Sequence, residues 1–170
     1  MDVQEAIKTK RAVRRFSQEP IPEEAARAIL NAGRRAQSAK NMQPWQFIAV
    51  TDRQVLQQAA KLGNFADHLA GAALAIGIIT PDPSQRWSIL FDAGQAGAYM
   101  QLAAWNLGIG SAPATIYDMD GARALLGFPA DQFMHIMFSF GYPADPADLT
   151  RPNQKGGRAA LDEVVHWQHW

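Results

Sequence analysis

The chain has 170 residues, 48% of them hydrophobic, with sixteen basic and sixteen acidic residues and a formal net charge of zero. That length suits one domain with a real core, and the balanced charge argues against a nucleic-acid binder, which usually carries a basic field. There is no cysteine, so disulfides, thiolate metal sites and cysteine nucleophiles are excluded.

In chain order, Asp2 followed by Glu5 has capping-box spacing, and Val3, Ala6 and Ile7 make one apolar face of a short helix ending near Lys10. A basic, extended stretch follows, Lys8 to Phe16. It holds five of the sixteen cations, interleaved with Val13 and Phe16. A free basic tail needs no apolar anchors; a docked segment that aims its cations into one place does. Pro22 suits the first turn of a second helix, which runs to about Arg35 with Ala26, Ile29, Leu30 and Gly33 on one face. A polar loop, Ala36 to Trp45, leads into a strand at Gln46–Thr51. Asp52 caps a helix through Leu62, and Gly63 reads as its stop.

Ala72–Thr80 is a continuous apolar run. It reads as a strand buried on both faces, with a buried helix as the alternative. Ser84 to Leu107 is the longest helical pattern. Trp87 and Phe91 fall at core spacing, and Gly94, Gly97, Ala98 and their neighbours make the helix slim enough for another helix to approach closely. Gly110–Tyr117 is a short loop or strand. Asp118 caps a helix to Leu126, stopped by Gly127, and Gln132–Gly141 is a strand. Pro143 to Asn153 is an extended excursion before an apolar tail, LDEVVHWQHW, whose two Val and two Trp need a surface to bury them, a second subunit for example. The order is that of an α+β domain, a sheet covered by helices.

The charges are unevenly placed. Residues 1–40 hold nine Lys/Arg against five Asp/Glu, whereas from 54 to 150 only Lys61, Arg86 and Arg123 are basic. A second cluster, Arg151, Lys155, Gly156, Gly157 and Arg158, lies near the C-terminus. If the fold joins the two clusters, the result is a pocket for a doubly charged anion such as a phosphate. His166 and His169 have metal-compatible spacing but lack further ligands, so no metal is expected. MDVQEAIKTK has no apolar signal core and no stretch approaches a membrane span, so a cytoplasmic protein without membrane contact is expected.

Three segments in this order resemble the nitroreductase family of FMN-dependent oxidoreductases: Lys10-Arg11-Ala12-Val13-Arg14-Arg15-Phe16, Ser38-Ala39-Lys40-Asn41-Met42-Gln43-Pro44-Trp45, and Lys155-Gly156-Gly157-Arg158 ahead of Leu161-Asp162-Glu163-Val164-Val165. Asp92-Ala93-Gly94-Gln95-Ala96 on the long helix adds to the likeness. The resemblance implies a single domain, 1–170, of three layers with a central, mostly antiparallel sheet flanked by helices. It also implies an intertwined homodimer whose tail, 143–170, wraps onto the partner, with two FMN molecules at the interface.

By the same resemblance Lys10, Arg11, Arg14, Lys155 and Arg158 surround the phosphate and ribityl chain. Ala12 stands among them where the family commonly has a Ser hydroxyl. Ser38 and Asn41 would contact the flavin of the partner subunit, Asn64 would lie near the polar edge of the isoalloxazine, and Pro113-Ala114-Thr115 over the ring near N5. NAD(P)H would be the reductant, and a nitroaromatic, quinone or similar small molecule the acceptor. The flavin carries the hydride chemistry, so no catalytic side chain is required. Two other readings stay open: a flavin-binding module for storage or sensing, and a non-flavin protein that offers its basic cluster to an anionic partner.

Overall fold

The computed structural model of the chain describes residues 1–151 and 157–170. Among these described residues, six α-helices and four strands follow in order: α1 (Val3–Thr9), α2 (Glu23–Arg34), β1 (Gln46–Val50), α3 (Arg53–Ala59), β2 (Leu74–Pro81), α4 (Ser88–Asn106), β3 (Gly110–Thr115), α5 (Met119–Leu126), β4 (Gln132–Gly141) and α6 (Leu161–Val164). The strands form one antiparallel sheet in the order β1-β2-β4-β3.

β2 sits between β1 and β4, and the alternation of its side chains builds both cores. Leu74, Ile76 and Ile78 face Ile29 of α2 and Ala96 and Met100 of α4. Ala75 and Ile79 face Leu56 and Ala59 of α3 and Ala122 of α5. The apolar run is thus a strand covered on both sides, and the molecule has three layers. Burying a side chain such as Ile76, which is fully enclosed, contributes roughly 1.5–3 kcal/mol.

Local signals set several helix ends. The Asp2, Asp52 and Asp118 carboxylates accept the N–H groups of Glu5, Val55 and Gly121 at 2.8, 2.9 and 2.8 Å, satisfying donors that a helix start leaves orphaned. Gly127, at φ 71°, closes α5 in the left-handed conformation.

Two expectations change. α3 ends at Ala59, and Gly63 is not its stop. A Cβ on Gly63 would stand 2.1 Å from the Thr115 carbonyl oxygen, so glycine is needed for close approach to β3. Trp87 and Phe91 are not core: they are 79% and 61% exposed. With Leu90, Gly94, Ala98 and Tyr99 they form an uncovered face of α4. Trp45, at 8% exposed, is core. Among the described residues, no helix is long and apolar enough to cross a membrane.

Candidate active site

The basic N-terminal segment is stitched to the rim of the sheet. Val13 donates its N–H to the Ser111 carbonyl at 3.0 Å and packs on Gly110, where a Cβ would lie 2.6 Å from its own. Phe16 is likewise buried on Gly141. Ser17 donates to the Tyr142 carbonyl at 2.8 Å, and Ala144 donates to the Arg15 carbonyl at 3.0 Å. The two apolar residues among the cations are therefore the anchors, as their placement suggested. With them turned inward, Ala12 and Arg14 face solvent.

The cations then part company. The Lys10 ammonium is half-buried at the end of α1. Its pKa is held below the ordinary 10.5, first by burial and then by the charge of Arg158, which lies within electrostatic reach. Arg14 lines a cleft of about 520 Å³ with Asn64, Phe65, Asp67 and His68. Arg11 turns elsewhere: its Nε donates to the Thr9 carbonyl at 3.0 Å, beside Trp105, Asn106 and Thr150. Arg15 lies 4.0 Å from Asp148, and Arg151 pairs with Asp145 and, at 3.1 Å, with Asp148. Arg151 is thus tied within its own loop by two aspartates, one of which it shares with Arg15. Lys155 lies outside the described residues.

Asn64 and the Pro113–Thr115 stretch meet because the turn after α3 is fastened to the end of β3. The Leu62 carbonyl accepts the N–H groups of Tyr117 and Asp118 at 2.8 and 3.1 Å. Along β3, Pro113 and Thr115 are exposed while Ala114 is turned into the core, so only the backbone of Ala114 can border a ligand. β3 is an edge strand, which is where a sheet tolerates Pro.

Ser38 and Asn41 lie at the other end of the molecule. Their loop is tied to α4: the Ala39 N–H donates to the Asp92 carboxylate, and Gln37 donates to Gln95 at 2.7 Å. Within the loop, Ser38 Oγ accepts the Gln43 N–H at 2.9 Å. Lys40, Asn41 and Gln43 have φ of 53, 54 and 48°, a left-handed run that only Asn takes readily. Trp105, whose indole N–H donates to Thr9 Oγ1 at 2.9 Å, marks the Lys10 end of the same helix. Thirteen residues separate Asp92 from Trp105, roughly 20 Å of helix. One chain therefore does not bring Ser38 and Asn41 to Lys10 and Arg14.

The nitroreductase family model matches two overlapping segments, 7–70 and 57–142. The chain belongs to the nitroreductase family. An Archaeoglobus fulgidus protein, provisionally named an NADH dehydrogenase/NAD(P)H nitroreductase, is 36% identical over 96% of each chain. An FMN-dependent nitroreductase of Clostridium difficile is similar in structure, at 26% identity and a TM-score of 0.83 over 97% of this chain and 98% of that one. A provisionally named nitroreductase of Desulfovibrio desulfuricans, determined in complex with FMN, is 25% identical with a TM-score of 0.81 over 100% and 98%.

The nitroreductase-family residues fit a phosphate-bearing, ring-shaped ligand on chemical grounds. Lys10 and Arg158 oppose each other electrostatically, a strain that a dianion between them would relieve. Arg11 Nη1 is buried without a hydrogen-bond partner among the described residues. The cleft offers an aromatic ring, an amide, a guanidinium and an imidazole.

That imidazole, His68, is not among the residues that the sequence singles out. Its pKa is lowered by burial first and by Arg14 second, against weaker opposing effects from the Pro113 carbonyl and Asp67. Its one sequence signal is its place a helical turn beyond Asn64, in the short 3-10 helix Asp67–Gly71.

Proposed function

We propose that this FMN-dependent oxidoreductase passes a hydride from NAD(P)H to a nitroaromatic, quinone or similar acceptor through one flavin site, in ping-pong order. The observation that carries the reading is the convergence of Lys10 with Arg158, in a family member whose Arg14, Asn64 and His68 share one cleft. Bound FMN would supply the redox chemistry, taking up and releasing a hydride at N5. Lys10, Arg158 and Lys155 would neutralise the phosphate. Pro113 and Thr115 would border the ring, and the guanidinium of Arg14 would favour negative charge gathering at the polar edge.

The full site would need two copies. Ser38 and Asn41 would serve the partner's flavin, which accounts for their distance from Arg14. The uncovered face of α4 supports such a dimer, as do four exposed apolar residues of the tail, Leu161, Val164, Trp167 and Trp170. In this arrangement residues 1–170 form one domain. Residues 143–151 stay with their own chain, where Pro143 bridges Phe16 and Asp148 meets Arg15, and 157–170 reach the partner. Such burial fits the more apolar, obligate class of interface.

The test is a visible absorption spectrum of the purified protein after loading with FMN and desalting. A retained flavin spectrum that bleaches under anaerobic NADH or NADPH and recovers on adding a quinone is the expected result. A retained spectrum that does not bleach would favour a storage module. A colourless protein would overturn the cofactor assignment. Sedimentation should give a dimer, and a monomer at micromolar concentration would remove the two-copy site.

A further inference from the structure

Between Leu62 and Ala122 the chain has one basic residue, Arg86. It stands just ahead of α4, at the corner where that helix meets the loop of Ser38 and Asn41. Its Nη1 rests on the thioether sulfur of Met42, a weak acceptor. Its Nε is buried and has no hydrogen-bond partner among the described residues. Among those residues no carboxylate forms an ion pair with it either. Asp82, close in sequence, accepts the Ser84 N–H at 2.9 Å instead, and the first turn of α4 holds no acidic residue. A guanidinium partly buried on a sulfur has lost water without meeting an anion, so a charged acceptor would stabilise it strongly. Beside it are apolar faces open to a ligand. Trp87 and Phe91 pack edge to face at 6.4 Å and are 79% and 61% exposed, and Met42 is 57% exposed.

We propose that Arg86 sets the choice of electron acceptor, binding an acid group carried by an aromatic nitro compound or quinone, so that anionic acceptors are preferred. The assignment rests on the two-copy FMN reading above, in which the loop of Ser38 and Asn41 serves the partner's flavin. Arg86 is held on Met42 of that loop, so it accompanies the loop to the partner's cleft. In that reading the phosphate is met by Lys10 and Arg158 and the ring is bordered by β3, which leaves Arg86 for the second ligand. A ring-borne carboxylate suits the corner, with its acid group on the guanidinium and its ring against Trp87 or Phe91. The 2′-phosphate of NADPH suits it less. It stands on a sugar, which has no aromatic face to offer, and its nearly two charges would meet one guanidinium. The acid group keeps its charge throughout the reaction. Its contact with Arg86 is therefore as strong before hydride transfer as during it, and the effect falls on KM rather than kcat.

The experiment measures kcat/KM for 4-nitrobenzoate and for its uncharged counterpart 4-nitrobenzamide on the FMN-loaded wild type, Arg86→Met and Lys40→Met. Comparing the ratio of the two acceptors between proteins cancels their difference in intrinsic reactivity. The ratio should fall about tenfold or more in Arg86→Met, the worth of one charged hydrogen bond, through the KM of the nitrobenzoate. It should stay within about twofold in Lys40→Met, which removes the same charge from an exposed position of the loop. Kd values for benzoate and benzamide, read from the perturbation of flavin absorbance, should show the same contrast without turnover. An unchanged ratio in Arg86→Met would overturn the proposal. So would an equal fall in both variants, which would mean a diffuse field, or a loss confined to NADPH against NADH, which would assign Arg86 to the reductant. A wild type whose flavin NADH and NADPH both fail to bleach would overturn the oxidoreductase reading itself. If Arg86→Met does not fold, the wild type decides: benzoate should bind about tenfold more tightly than benzamide, and equal binding would sink the assignment.

Discussion

Asp92, buried in α4, accepts the backbone N–H of Ala39 through both carboxylate oxygens, at 3.3 and 3.2 Å. A loop with three left-handed residues is thereby fastened to the helix, alongside the Gln37–Gln95 contact. Asp92→Ala should destabilise the fold by about 1–3 kcal/mol, since the loop loses a hydrogen bond to a charged group. Limited proteolysis should then cut first within residues 38–43. A variant as stable and as resistant as the wild type would show that the tether is not needed.

Phe138 occupies the space beside Gly97, with Cζ 2.6 Å from where a Cβ would stand, whereas Gly94 has nothing within 4 Å. Gly97→Ala should therefore cost about 1–3 kcal/mol by overpacking. Gly94→Leu should leave the monomer fold intact, since a helix gains from losing a glycine, yet weaken the dimer. Circular dichroism melts and sedimentation separate the two effects. Equal losses of stability would contradict the packing.

These contrasts also show what was legible in the sequence. The Asp caps and Gly127 act within a few residues, so spacing alone reveals them. The unbroken apolar run of β2 follows from cover on both faces. Trp87 and Phe91 misled because helical spacing reveals an apolar face without saying what covers it. Gly63 looked like a helix stop because its true neighbour, the Thr115 carbonyl, is distant in sequence. Arg151 looked like a phosphate ligand because Asp145 and Asp148 engage it only once the loop turns. His68 gave no local sign; its neighbours Ser139 and Arg14 are brought near only by the fold.

Stability should depend on pH through His68. Its folded pKa lies below the ordinary 6.5, so in acid the unfolded chain binds a proton that the folded chain refuses. The unfolded state then binds more protons, and stability falls as pH drops through 6.5 toward the lower folded value. Melting temperatures from pH 7.5 to 5.5 should decline in the wild type and decline less in His68→Phe. Parallel profiles would mean that the imidazole titrates freely.

Lys40 and Gln43 hold left-handed backbone without being Asn or Gly. Lys40→Gly should relieve about 1 kcal/mol of strain, visible as a higher melting temperature. A lower one would mean that the side chain makes a contact worth more than the strain, and a dimer interface is where to seek it.

Lys10→Ala and Arg151→Ala remove the same charge with different expected results. Lys10 faces Arg158, and Arg151 is engaged by two aspartates. FMN affinity should fall about tenfold or more in the first and stay within twofold in the second, since a charged hydrogen bond is worth about 1.5–3 kcal/mol. Equal losses would return Arg151 to the site.

The stitching of the N-terminal segment bears on how the protein is made. Its cations leave the ribosome well before their partners, for Val13 closes on Ser111 and Arg15 on Ala144. At typical elongation rates of roughly 5–20 residues per second, those partners follow on the order of ten seconds later. The docked basic segment therefore cannot seed folding during synthesis. It assembles last, on a finished sheet, and until then the basic stretch is the part of the nascent chain most open to chaperones and proteases.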